Sequence, residues 1–176
     1  LFNCTGLHAD KIAHRFGVGL DYSIMPFKGL YWKLKKDIPL QVNTNVYPVP
    51  DLNVPFLGVH FTPSADSPAE VSIGPTATFA FGRENYHGIK GIEPLTCSKN
   101  ILTLIQQYLL DRGGFRKYVH EQAFLAYMPF MLVAAQQIIP SLRSSYIEPS
   151  DKVGIRSQLF NIREQKLEDD FICLKG

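Results

Sequence analysis

No G-x-G-x-x-G run followed by an acidic residue occurs in the 176 residues, so the chain carries no dinucleotide site of the βαβ type by itself. Cysteine is scarce. Cys4, Cys97 and Cys173 are odd in number and irregularly spaced, which argues against a disulfide framework or a zinc motif and fits a reducing compartment. His8, His14, His87 and His120 are scattered without metal-ligand spacing. No apolar run approaches the roughly 20 residues needed to span a bilayer, and the N-terminus lacks the basic-then-apolar layout of a secretion signal; peripheral membrane attachment is left open. Blocks of one charge are also missing. The 18 basic and 16 acidic residues are spread along the chain for a net +2, which offers nothing to draw in nucleic acid or anionic lipid. Internal repeats and low-complexity segments are absent.

What is present is a body able to fold. With 45% hydrophobic residues the chain can bury a real core, and its length suits one domain with room for part of a second. LFNC at the start reads as a strand that turns at Gly6 into a short helix from about His8 to Phe16, with Ala9, Ile12, Ala13 and Phe16 at helical spacing and Gly17 and Gly19 as its stop. From Asp21 to Phe81, short runs rich in Val, Ile, Tyr, Phe and Thr are broken by Pro and Gly, including the alternating Val42, Thr44 and Val46; this is the pattern of a strand meander.

Helical periodicity returns at Ser98, a suitable N-cap, with Ile101, Leu102, Ile105, Tyr108 and Leu109 on one face and Gly113-Gly114 as the stop. A second helix is predicted over Phe115–Tyr127 and a third from Pro129 through MLVAAQQII to Pro140. KVGIRSQLF and DDFICLKG read as closing strands around the charged turn Arg163 to Asp170. Strands, then helices, then strands predict an α+β fold: an antiparallel sheet with helices packed on one face. Because both ends read as strands, the sequence is expected to be an internal piece of a larger protein.

Several side chains could carry chemistry. Gly6 lets the backbone approach a ligand closely, and the following helix offers N–H groups at its start, although a tight turn alone would explain it. His60 lies in the apolar run FLGVHFT, where a buried ring needs a partner; facing an open side of the sheet, it could take a hydroxyl proton, and otherwise it is a hydrogen-bonded structural histidine. Lys28, Arg83 and Arg156 sit inside strand-like segments, where a cation can grip a carboxylate or simply form a salt bridge. Tyr47 and Tyr86 could donate to a carboxylate or only pack.

Four segments in fixed order, NCTGLHAD (Asn3 to Asp10), PFKGLYW (Pro26 to Trp32), YPVPDLNVPFLGVHFT (Tyr47 to Thr62) and GPTATFAFGRENY (Gly74 to Tyr86), together resemble the flavin-dependent L-2-hydroxyglutarate oxidases and dehydrogenases of the D-amino-acid-oxidase-like family. The resemblance is strongest over Leu1 to Tyr86 and recovers in part at Gly154 to Gln158. It implies that residues 1–20 are a remnant of the FAD-binding domain, 21–150 a substrate domain whose sheet roofs the flavin, and 151–176 closing strands leading back toward the cofactor domain.

The same resemblance places Thr5 and Gly6 beside FAD, though many relatives carry Ala where Thr5 stands. It matches Gly154-Ile155-Arg156 to a Gly-x-Arg whose arginine approaches the substrate carboxylate, with Gly154 near the cofactor. Lys28 and Arg83 then compete for the second carboxylate of a 2-hydroxy dicarboxylate, and His60 takes the role of base. The implied reaction oxidises L-2-hydroxyglutarate to 2-oxoglutarate. The partner implied is the missing FAD-binding domain of the same polypeptide, with no nucleic acid, and the location is cytoplasmic, or mitochondrial in a eukaryote, with peripheral inner-membrane or quinone contact left open. The chain by itself is expected to be inactive and without FAD. Malate, glycerol 3-phosphate or an amino acid as substrate, or a binding domain without redox chemistry, are the competing readings.

Overall fold

In the computed structural model, residues 2–49, 57–67, 70–111, 114–168 and 170–174 are described. The fold is α+β, with an open antiparallel sheet of six strands and four α-helices among these residues. The strands are β1 (Tyr22–Leu34), β2 (His60–Pro63), β3 (Val71–Gly74), β4 (Thr78–Phe79), β5 (Ile147–Asn161) and β6 (Lys166–Leu167), ordered β2-β3-β1-β5-β6 with β4 on β1. The helices are α1 (Ala9–Arg15), α2 (Pro94–Leu110), α3 (Phe115–Leu125) and α4 (Met128–Gln136). None of them is long and apolar enough to cross a membrane.

The chain divides into two compact units. Unit 1 comprises Leu1–Lys28, Phe79–Arg112 and Ile155–Gly176, and unit 2 comprises Gly29–Thr78 and Gly113–Gly154. In unit 1, α1 ends as its glycines require: Gly17 at φ +72° donates to His14, and Val18 reaches back to Ala13. Phe27, Phe79 and Phe81 form a ladder of edge-to-face rings, with centroids 6.3 and 6.0 Å apart.

Unit 2 has the larger apolar core. Phe61 of β2 and Ile73 of β3 are fully buried and face each other across the ladder, and Met131 and Ala135 of α4 close over them with Leu34, Val42, Val59, Val71, Leu142 and Ile147. Burying each large side chain in such a cluster contributes about 1.5–3 kcal/mol. The α4 helix starts as expected, with proline in its first turn.

Three local expectations are corrected. Residues 2–5 and 171–174 form no strand, because their backbone groups find no ladder partner and Phe2 and Phe171 stand in solvent; the strand that pairs with β5 is Lys166–Leu167 instead. Ser98 is not a cap. Pro94, whose missing N–H costs nothing in a first turn, starts α2 one turn earlier behind Glu93, and the Ser98 hydroxyl donates to the Leu95 carbonyl. Val42 to Val46 yields only a single bridge, Val46 to Phe61. The stretch 50–56 of the third family-like segment, and Gly113, lie outside the described residues.

Candidate functional site

In unit 2 the alternation of the strands decides what faces away from the core. Phe61, Ile73 and Trp32 are register partners in one row and pack inward. The rows on either side therefore point to the opposite face: His60 opposite Gly74, and Thr62, Ser72 and Lys33 in line. The His60 ring stacks on Tyr47 at 4.5 Å between centroids, so the structure brings these two predicted residues together. His60 Nδ1 lies 2.9 Å from the Gly58 carbonyl. A carbonyl can only accept, so Nδ1 carries the hydrogen and the lone pair of the neutral ring is on Nε2. Gly154, on β5, has nothing within 4 Å of the place a β-carbon would take.

In unit 1, Thr5 and Gly6 form the turn before α1. The Asn3 carboxamide organises it, accepting from the Thr5 hydroxyl at 2.6 Å and donating to Ala9 at 2.8 Å. Gly6 has φ +55°, and open space lies where a side chain would project. Handedness therefore explains the glycine, and the backbone there is open to approach.

Arg83 reaches the same turn. Its guanidinium donates to the Leu7 carbonyl and forms two bonds to the Asp10 carboxylate, with both side chains almost wholly buried. Burial pushes the Asp10 carboxyl up, but the hydrogen bond and charge of Arg83 and the amides of Ile24 and Lys11 outweigh it and hold the group below the usual carboxylate range. Arg83 thus ties the Gly6 turn and α1 to the segment after β4.

Lys28 extends from β1 and donates to Asn85 Oδ1 at 3.1 Å; burial lowers its pKa. Asn85 is fully buried and spends both amide hydrogens on the Gly88 and Lys90 carbonyls, which fixes the acceptor it shows to Lys28. Tyr86 is exposed. Arg156 is exposed on β5. The predicted residues thus divide between the units: Thr5, Gly6, Lys28, Arg83, Tyr86 and Arg156 in unit 1, and Tyr47, His60 and Gly154 in unit 2.

Sequence reasoning passed over Asp10, Asn85, Ser72 and Lys152. A lone acid in a helix's first turn reads as a partner of the helix dipole, and only its buried arginine 73 positions away gives it another role. Among the described residues no cluster of His, Cys, Asp and Glu could hold a metal ion.

Residues 1–165 match the model of the family described as FAD dependent oxidoreductase (DAO). The chain belongs to this family. Among curated proteins it is similar to the mitochondrial L-2-hydroxyglutarate dehydrogenases of Nematostella vectensis, 32% identical over 98% of this chain and 36% of that protein, and of Caenorhabditis elegans, 33% identical over 100% and 39%. The L-2-hydroxyglutarate dehydrogenase of Indibacter alkaliphilus is 48% identical over 49% of this chain and 21% of its own length. The chain spans little more than a third of the full-length relatives it matches end to end. In this chain the turn before α1 is left-handed at Gly6, with open space where a β-carbon would project.

Proposed function

We propose that this chain is part of a flavin enzyme that oxidises L-2-hydroxyglutarate to 2-oxoglutarate. Support comes from the names of its relatives and from one observation above all: His60 Nδ1 donates to the Gly58 carbonyl while its ring stacks on Tyr47, which puts the lone pair of the neutral ring on Nε2, on the sheet face turned away from the core. Thr5, Gly6 and Gly154 would hold FAD, which when bound supplies the two-electron acceptor for the C2 hydrogen.

In this reading His60 takes the proton of the C2 hydroxyl as the carbonyl forms. Arg156 grips the substrate carboxylate as a guanidinium suited to a planar anion. Lys28, oriented by Asn85, is the candidate for a second anion. Arg83 is committed to Asp10, and its part is to hold the cofactor-side turn in shape. Tyr47 positions the His60 ring, and Tyr86 is a candidate lining residue. Without a G-x-G-x-x-G segment, the 176 residues alone neither retain FAD nor turn over substrate; a yellow purified chain with a flavin band overturns this. The eukaryotic relatives are named as mitochondrial, which supports a mitochondrial location in a eukaryote; in a bacterium our reading is cytoplasmic.

The test is anaerobic flavin reduction by the flavin-loaded longer polypeptide that carries this sequence, with L-2-hydroxyglutarate, malate, glycerol 3-phosphate and amino acids compared. L-2-hydroxyglutarate is expected to give the highest kcat/KM. His60→Gln is expected to lower kcat by about 10²–10⁴-fold with KM little changed. Reduction by another substrate alone, or an unchanged kcat in the variant, refutes the assignment.

A further inference from the structure

Beside His60, on the same face of unit 2, lies a cation with neutral company. Lys152 of β5 donates from Nζ to the Ser72 hydroxyl at 3.2 Å, and its ammonium stands 4.9 Å from the centre of the Tyr31 ring. Neither partner carries a charge. The carboxylate next to this row, Glu148, pairs with Lys33 at 3.3 Å, and among the described residues no acid lies within ion-pair distance of Lys152. Lys152 is itself exposed, and its ammonium reaches down to the hydroxyl of the buried Ser72.

Next to it the backbone is glycine in a tight place. Gly74 stands between the rings of Tyr31 and His60: it is the register partner of His60, and a β-carbon on it would come within 3.2 Å of Tyr31 Cδ1. An imidazole, an aromatic ring and an ammonium at Ser72 thus stand along one face of the sheet around Gly74. Ser72 is two residues from Gly74 along β3, about 7 Å. A carboxylate bonded directly to the carbon whose hydroxyl meets His60 is too near to span that distance. One separated from it by two further carbons is not.

We propose that Lys152, with the Ser72 hydroxyl and in place of Lys28, is an anion site for the distal carboxylate of a five-carbon 2-hydroxy dicarboxylate, and that it selects dicarboxylates over monocarboxylates. The inference rests on the reading of His60 given above for its register, but a redox-inert ligand can test it. Glutarate has both carboxylates and no C2 hydroxyl, and butyrate lacks the second carboxylate.

In NMR titrations of the 176-residue chain, glutarate is expected to shift the Ser72 and Lys152 amides saturably and to bind at least about tenfold more tightly than butyrate, the scale of one charge-assisted contact. Lys152→Met is expected to abolish that preference while leaving the spectrum of the core intact, and Lys152→Arg to restore part of it. Equal binding of the two acids, or a preference that survives in Lys152→Met, overturns the site. Because glutarate cannot be oxidised at C2, failure here condemns Lys152 alone. Failure of flavin reduction by L-2-hydroxyglutarate with the glutarate preference intact condemns the oxidation and leaves the anion site standing.

Discussion

The two units solve the same problem with different chemistry. Unit 2 is organised by apolar burial, with Phe61, Ile73, Met131 and Ala135 fully excluded from water. Unit 1 places a charged pair at its centre, Asp10 with Arg83, and a saturated amide, Asn85, beside it. Apolar packing tolerates modest change of shape, whereas a buried ion pair fails when either member is lost. The difference teaches what each kind of packing holds: the polar network fixes the Gly6 turn, and the apolar core occupies one face of the sheet, with His60 on the other.

The comparison can be broken most forcefully by removing one anchor from each unit. Phe61→Ala is expected to cost about 3–5 kcal/mol through lost contacts and a cavity. Arg83→Met is expected to cost a similar amount, about 3–5 kcal/mol, by leaving the Asp10 carboxylate buried and unpaired. The two should separate in their rescue. Adding Asp10→Asn to Arg83→Met removes the stranded charge while keeping an acceptor for Ile24, and should recover a large part of the loss in urea denaturation. If the double variant is no better than Arg83→Met, the pair is not the organising element of unit 1.

A smaller effect comes from acid. The folded-state pKa of Asp10 is depressed, so its contribution is present above the unfolded carboxylate value of about 3.9 and is lost as pH falls through the folded value. Glu93, lowered by its bonds to Thr96 and Lys11 and by the charges of Lys11 and Arg83 against the opposing pull of burial, adds in the same direction. Stability should therefore begin to fall below about pH 5. The fall should be shallower in Asp10→Asn. Equal acid slopes in the two proteins would remove the electrostatic half of the contrast.

The sequence made unit 2 easier to read than unit 1. Helices over 115–125 and 128–136 and the long strand through Gly154 follow from local periodicity and from Pro129. His60 could be suspected because a histidine inside FLGVHF is locally out of place. Asp10 and Arg83 each look ordinary alone, and only the fold brings them within bonding distance. Lys152 was hidden for another reason: it opens the predicted strand KVGIRSQLF, and nothing local marks the Ser72 hydroxyl, 80 positions away, as its partner. The LFNC run misled because apolar residues propose a strand but only a pairing edge makes one, and among the described residues it has none.

The smallest predicted effect concerns Gly6, and it separates shape from contact. At φ +55° any β-carbon is strained, but none would clash, since nothing lies within 4 Å. Gly6→Ala should therefore cost the chain about 1 kcal/mol, and Gly6→Asn less, because asparagine tolerates the left-handed region better. If stability were all that mattered, flavin affinity in the longer polypeptide would follow the same order. If the open space is where FAD lies against the backbone, asparagine, the bulkier residue, should weaken flavin binding more than alanine while destabilising the fold less. That inversion, measured by flavin titration beside denaturation, distinguishes a cofactor surface from a simple turn.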